Sequence, residues 1–228
     1  GVPGIMFLGA LGALVGEVTY VNALPESMPL NSFLVIFIPL VMAIVFAGLG
    51  GLLYSFLTVT LKCNQNVVGL TLTTFGVAFS RYFILEMSKT AGYRVIDAAD
   101  MIHNLFPGYK AAGTFGEIFL SGSFFTYLAI IVAIVISIVL AKTMVGLNLR
   151  AVGENPASAD AAGINVTKYK YLSTIIGSAI VGIGGLTYYL DVAGGHLDAS
   201  YTVDSFGWLA LSIVILCAWR SWITIPIS

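Results

Sequence analysis

Six long runs of apolar residues, separated by polar stretches, set the pattern of this sequence. They cover residues 5–21, 33–61, 67–85, 124–141, 171–190 and 206–219. A helix needs about 20 mostly apolar residues to cross the hydrocarbon core of a bilayer. The first five runs meet this requirement. The last is shorter, and it predicts either a short or re-entrant helix or a full span whose polar start is residues 200–205.

None of the runs alternates apolar and polar residues as a membrane-spanning strand does. The pattern therefore predicts an all-α, polytopic transmembrane helical bundle with about six membrane segments. Gly9, Gly12 and Gly16 give the first run a small face that can pack closely on a neighbour. The second run is long for one straight span, and Pro39 and the glycines of residues 48–51 are its expected kink points.

The composition supports the same conclusion. Charged residues make up 9% of the 228 residues and hydrophobic residues 58%, whereas an average soluble domain is about 25% charged. So few charges cannot coat a water-soluble fold, which excludes a soluble enzyme, a nucleic-acid-binding protein and a disordered chain. Cys63 and Cys217 match no metal motif, and we expect both to be small buried apolar side chains.

Basic residues indicate the orientation of the bundle. Alternating spans place six of them on one side: Lys62, Lys142, Arg150, Lys168, Lys170 and Arg220. The other side receives Lys89, Arg94 and Lys110, together with most of the acidic residues. Because basic loops stay in the cytoplasm, we expect residues 143–170 to be cytoplasmic and residues 87–121 extracellular. Tyr188 and Tyr189 would then lie at the outer interface, and Trp219 and Trp222 at the inner one.

The polar stretch of residues 146–163 predicts a short, well-capped helix over residues 156–162. Asn155 suits the N-cap, Pro156 the first helical position, and Gly163 the left-handed residue after the last turn. Two turns are not stable alone, so flanking helices or a partner must hold this segment. It either merely joins two spans or is a slim peg that enters a cleft on a partner protein, with Arg150, Glu154 and Asp160 at the rim.

Polar residues near the spans are candidates for contact with a solute. Asn64, Gln65, Asn66 and Thr74 offer donors and acceptors that suit a nucleobase or sugar hydroxyls. The alternatives are an amide turn exposed to water at the inner interface and a threonine bonded to its own helix. Glu17 and Arg81 could line a cavity or pair, but we expect both to extend to the outer interface.

Other candidate chemistry is sparse. Asp97, Asp100 and His103 recur every three residues, which predicts a solvated helix face better than a metal site. No G-x-x-x-x-G-K-[ST] string occurs, so the chain cannot bind ATP by that route. No catalytic constellation is evident at membrane depth, and we expect neither an enzyme nor a bound cofactor.

Three stretches together resemble a known family. Residues 146–163, followed by Lys168 and Lys170, strongly resemble the cytoplasmic loop of permease subunits of bacterial ABC importers for simple sugars, branched-chain amino acids and nucleosides. Residues 64–69 look like the family's Asn-Gln-Val-Val turn after a long span, and residues 207–220 are similar to a late span of the nucleoside-type permeases. Family members usually have further helices before and after these segments, so we expect a chain truncated at both ends.

The resemblance implies a function and a set of partners. The chain would be a single permease domain, residues 1–228, in the plasma membrane, importing a nucleoside or simple sugar. Its partners would be an ATP-binding cassette subunit that carries the ATP, a second permease subunit and an extracellular solute-binding protein. The loop would dock on the ATP-binding subunit as a coupling helix, through Arg150, Gly153, Glu154, Asn155, Pro156, Ala159, Asp160 and Gly163. The alternatives are an ion- or proton-coupled secondary transporter and a membrane scaffold without a solute path.

Overall fold

Helices form almost all of the part of the chain that the computed structural model describes, which is residues 1–23, 32–89, 124–195, 197 and 202–217. The first three helices are α1 (Val2–Ala23), α2 (Ser32–Ser55) and α3 (Gln65–Ser88), and a π-helical turn, Phe56–Thr60, continues α2. Then follow α4 (Phe124–Lys142), α5 (Met144–Glu154) and α6 (Pro156–Ala161). The last two are α7 (Val166–Thr187), extended by a second π-helical turn, Tyr188–Val192, and α8 (Val203–Leu216).

The predicted polytopic helical fold is confirmed. Among the described residues, four helices are long and apolar enough to cross a membrane by themselves: Val2–Ala23, Phe33–Thr60, Gln65–Met87 and Val166–Val192. A fifth span is possible if α4 and α5, which meet at a bend of 76°, count as one. The last apolar run forms the 14-residue helix α8, which is below that length.

Helix α1 occupies the centre of the bundle. Within its apolar window 78% of the residues are buried, compared with 28% for α2 and 33% for α3. The helix is apolar on every side, which is the pattern of a helix surrounded by others. Helices α2, α3, α7 and α8 all pack against it.

Glycines on different sides of α1 allow these neighbours to approach its backbone. A Cβ atom added at Gly9 would lie 2.6 Å from the Cα of Gly182 in α7. The same addition at Gly12 would lie 2.6 Å from the Met42 carbonyl oxygen of α2, and Gly4 faces the backbone of α3 in a still closer contact. Small residues of this kind are what permit close helix packing inside a membrane. The expected small face is thus confirmed by its close contacts with α2 and α7, and Gly4 on another side of α1 allows the same approach by α3.

The glycine contacts also define the helix directions. On α2, residue 50 approaches Leu8 and Pro39 approaches Gly16, so α1 and α2 are antiparallel. Gly4 meets Gly76 of α3, and Arg81 farther along α3 reaches Phe7, so α3 runs in the same direction as α1. On α7, Ser178 approaches Gly51 of α2 and Gly182 approaches Ala43, so α7 is antiparallel to α2 and runs in the same direction as α1. The starts of α3 and α7 share one end of the bundle with α5 and α6, and we call this the α6 end.

Local expectations differ in their outcome. Pro39 and the glycines of residues 48–51 do not interrupt α2, which is α-helical from Ser32 to Ser55. Gly51 instead leaves room for the Ser178 side chain. Tyr188 and Tyr189 are buried inside the bundle, so they are not exposed to an outer interface. Cys217 is buried as expected, but Cys63 is exposed.

Further expectations concern residues outside the described ranges. These are the extracellular loop of residues 87–121 beyond Lys89, with Asp97, Asp100 and His103, and the pair Trp219 and Trp222. They stay predictions.

Candidate functional site

The polar segment after α4 begins with a sharp, specifically capped bend. The Oγ1 of Thr143 accepts a hydrogen bond from the Gly146 amide at 3.2 Å and donates one to the Val139 carbonyl oxygen at 2.6 Å. This arrangement ends α4 and starts α5 at 76° to it. A Cβ at Gly146 would lie 2.5 Å from the Leu140 carbonyl oxygen. The bend thus requires both a hydroxyl cap and a glycine.

Helix α6 has caps at both ends, as the sequence predicts. Asn155 Oδ1 accepts a hydrogen bond from the Ser158 amide at 3.1 Å, and Pro156 occupies the first turn of the helix. At the other end Gly163 has φ +81°, and its amide donates to the Asp160 carbonyl at 2.9 Å. The Ile164 amide donates to the Ala159 carbonyl at 3.0 Å. These two bonds form a Schellman motif, whose left-handed residue is best supplied by glycine.

The segment is tied to the bundle as well as capped. Asn148 of α5 donates through its side-chain amide to the hydroxyl of Tyr169 in α7 at 2.9 Å. Val152 and Ala159 are each 3% exposed, so both pack inward. Asn165 then caps α7 by accepting the Lys168 amide at 2.9 Å. Helices α5, α6 and the start of α7 therefore form one connected unit, which we call the coupling unit (residues 143–170).

Seven of the eight residues expected to meet a partner are exposed on the coupling unit. They are Arg150, Gly153, Glu154, Asn155, Pro156, Asp160 and Gly163. The eighth, Ala159, packs inward, and its position suits holding α6 in place. An open groove of about 660 Å³ lies between α6 and the start of α7, lined in part by Ala157, Asp160 and Asn165.

The predicted solute residues lie along α3. Asn64 is the N-cap of this helix, and its Oδ1 accepts the Asn66 amide at 3.0 Å. Asn64, Gln65 and Asn66 are all exposed at the α6 end. Thr74 is exposed farther along the same helix, and its hydroxyl donates to the Leu70 carbonyl at 3.2 Å. The structure thus places the four residues on one helix, with the amides at its start.

Two charged groups within the spans have surroundings that differ from the expectation. Glu17 is 1% exposed and lies next to the buried Tyr189 of the second π-helical turn. Arg81 of α3 and Asp204 of α8 form an ion pair at 3.7 Å. The burial of Glu17 contradicts the expectation that it reaches the surface of the bundle. Glu17 and Arg81 do not pair with each other, since Arg81 pairs with Asp204. The partner of Arg81 could not be recognised in the sequence, because Asp204 is 123 positions away on another helix.

Sequence comparisons find related proteins whose similarity to this chain extends over nearly its whole length. A family model described as "Branched-chain amino acid transport system / permease component" matches residues 1–227. The nucleoside ABC transporter permease protein NupC of Lactococcus lactis subsp. cremoris is 31% identical over 225 residues, 96% of this chain and 66% of the relative. A putative glucose ABC transporter permease protein of Haloferax volcanii is 29% identical over 221 residues, 96% of this chain and 62% of the relative.

A third relative is the guanosine ABC transporter permease protein NupQ of Bacillus subtilis. It is 26% identical over 223 residues, which are 96% of this chain and 66% of the relative. The chain thus spans somewhat less than two thirds of the length of these three relatives. No solved structure matches it.

Proposed function

Because this chain belongs to the permease-component family of the branched-chain amino acid transport systems, we propose that it is part of the membrane-spanning subunit of an ATP-driven importer. The solute is a nucleoside or a simple sugar, since NupC, NupQ and the Haloferax volcanii relative are named for nucleoside, guanosine and glucose transport. The observation that carries the proposal is the coupling unit: a capped two-turn helix held outside the bundle at a defined angle.

The α6 end faces the cytoplasm in this proposal. The described bases at that end are Lys62, Lys142, Arg150, Lys168 and Lys170, whereas Lys89 lies at the opposite end. Basic loops are retained in the cytoplasm. The chain is therefore a multi-pass plasma-membrane protein whose residues 143–170 are exposed to the cytoplasm, and residues 87–121 belong to the extracellular side.

An ATP-binding cassette subunit docks on the coupling unit. Exposed Arg150, Glu154 and Asp160 form the polar rim that sets its orientation. Pro156 and Asn155 start the helix that enters the partner, Gly153 and Gly163 border it, and Ala159 holds it from inside. The ATP stays on that subunit. A second permease subunit and an extracellular solute-binding protein complete the importer.

A movement of α6 is transmitted to the membrane-spanning helices through hydrogen bonds and close packing contacts. The Schellman motif and the Asn165 cap connect α6 to α7. Helix α7 in turn meets α1 backbone to backbone at Gly182 and Gly9, and it meets α2 where the Ser178 side chain packs on Gly51. A displacement of α6 by the closing ATP-binding subunits would thus tilt α7 together with the two helices it packs on. The solute passes along α3, past Thr74 to the amides of Asn64, Gln65 and Asn66 at the cytoplasmic mouth.

Charge reversal on the coupling unit tests the proposal. Asp160→Arg should remove the ATP-binding subunit, identified by its own sequence, from the purified complex, and should abolish ATP-dependent uptake of uridine and glucose into proteoliposomes. Glu86→Arg is the matched control, because Glu86 is also an exposed acid and lies at the opposite end of the bundle. Retention of the ATP-binding subunit by the Asp160 variant would contradict the docking assignment. Uptake driven by a proton gradient without ATP would contradict the importer itself.

A further inference from the structure

The ion pair between Arg81 and Asp204 lies at membrane depth and is open to the surface of the chain. Arg81 is 16 residues beyond the start of α3, which is about 24 Å along a helix that rises 1.5 Å per residue. A hydrocarbon core is about 30 Å thick. At this depth the two side chains are still 41% and 29% exposed. A charge so placed requires an environment other than lipid.

The guanidinium group of Arg81 does not point toward the nearer membrane surface. Side chains on a helix lean toward its N-terminus, and the N-terminus of α3 is at the α6 end. Arg81 therefore leans back toward the middle of the bundle. The contact with Phe7 agrees, because the guanidinium carbon lies 6.0 Å from the centroid of this fully buried ring.

The exposed face of α3 carries large apolar side chains, among them Leu70, Phe75 and Leu85, but it differs from the exposed faces of α2 and α4 because polar groups lie between them. The large exposed side chains of α2 and α4 are apolar, among them Phe37, Val45, Ile131 and Val135, which suits contact with lipid. On α3 one stripe at helical spacing carries polar groups and a small residue. We call it the α3 stripe, and it consists of Thr71, Thr74, Ala78, Arg81 and Tyr82.

The chemistry at the ion pair is that of a neutral ligand site. The two side chains are 3.7 Å apart, longer than the roughly 2.8 Å of a charge-assisted hydrogen bond. Each therefore keeps capacity to bond a third group, the guanidinium as donor and the carboxylate as acceptor. A charged ligand would compete for one member and leave the other uncompensated in a low dielectric. A neutral ligand with hydroxyl and amide groups satisfies both.

An exposed aromatic residue follows each member of the pair along its helix. Tyr82 follows Arg81 and is 68% exposed, and Trp208, one turn beyond Asp204 on α8, is 45% exposed. Such rings can pack against the face of a nucleobase or a sugar. We propose that Arg81 and Asp204, with the α3 stripe and Trp208, form a subsite for a neutral hydroxylated solute on the transport path. This inference rests on the proposed function, in which a second permease subunit supplies the other wall.

Cysteine accessibility tests whether the α3 stripe faces water. In a background with Cys63→Ser and Cys217→Ala, Ala78→Cys should react with a membrane-impermeant hydrophilic thiol reagent in the assembled transporter, and excess uridine or glucose should slow the reaction. Leu49→Cys is the matched control: Leu49 is 59% exposed, and it adjoins Gly50, which meets α1 at nearly the level where Gly76 meets it. We expect it not to react. An equally inert Ala78→Cys would show that the α3 stripe faces lipid and would overturn the subsite.

Uptake kinetics test the chemistry of the pair. In the transporter assembled with its ATP-binding subunit and solute-binding protein, Arg81→Gln and Asp204→Asn should each raise the KM for solute about ten- to a hundredfold, the range for losing a hydrogen bond to a charged group. The ATP-binding subunit should stay bound. Neutralising the exposed pair of Glu86 and Lys89 at the end of the same helix should leave KM unchanged.

A charge swap, Arg81→Asp with Asp204→Arg, separates a binding role from a structural one. The swapped pair can still link α3 and α8, but its donor and acceptor have exchanged places, so we expect uptake to stay impaired. Restored uptake would overturn the subsite and leave the proposed function intact. Import of leucine in place of uridine and glucose would overturn the neutral-ligand chemistry. Loss of the ATP-binding subunit from the unsubstituted complex would instead refute the proposed function on which the subsite rests.

Discussion

The left-handed backbone at Gly163 permits a sharp prediction about the coupling unit. With φ at +81°, replacement by alanine would cost about 1–2 kcal/mol, the penalty for an L-residue in this region. The amides of Gly163 and Ile164 make the two bonds that close α6, and a six-residue helix has little else to keep it formed. The population ratio of closed to open α6 should therefore fall about 5- to 30-fold.

Hydrogen exchange measures this ratio directly. In the purified complex, Gly163→Ala should reduce the protection of the amides of residues 162–164 by that factor. Affinity for the ATP-binding subunit should fall by at most the same factor, because the apparent affinity is reduced only by the fraction of molecules in which α6 is open. Gly163→Asn should lie between alanine and the native residue, since asparagine tolerates the left-handed region.

Gly153→Ala provides the matched control ten residues upstream. Gly153 is helical, and a Cβ there meets nothing within 4 Å. Alanine at this position should therefore leave protection unchanged or raise it by up to about 1 kcal/mol, through helix propensity. Equal protection in the two alanine variants would refute the claim that the left-handed turn maintains α6.

Two further predictions concern packing and the link between α5 and α7. Gly9→Ala should lower the free energy of unfolding by about 1–3 kcal/mol, because its Cβ would meet the α7 backbone. Gly48→Ala should not lower it, because a Cβ there lies in open space. Thermal denaturation in detergent compares the two variants, and equal midpoints would count against close packing at Gly9. Tyr169→Phe removes the hydroxyl that accepts the hydrogen bond from Asn148. This loss of roughly 1 kcal/mol should weaken binding of the ATP-binding subunit about fivefold. Titration of that subunit onto the variant checks the prediction, and unchanged affinity would show that the bond does not position α5.

Local features of this protein could be predicted from neighbouring residues alone. The apolar runs predicted each described long helix to within about five residues at either end, because the length of an apolar run is set by the bilayer it must cross. Asn155, Pro156 and Gly163 predicted α6 and its ends, because capping depends on backbone angles and hydrogen bonds within a few residues. The amide turn of residues 64–66 was likewise recognised, as the start of α3.

Features that join distant parts of the chain depended on the tertiary structure. The central place of α1, the inward burial of Ala159 and the pairing of Arg81 with Asp204 are decided by which helices become neighbours. An apolar helix is equally compatible with lipid and with other helices, so its composition leaves those neighbours open. Glu17 illustrates the consequence: the sequence predicted a side chain that reaches the outer interface, and only packing against the helix that carries Tyr189 placed it inside the bundle.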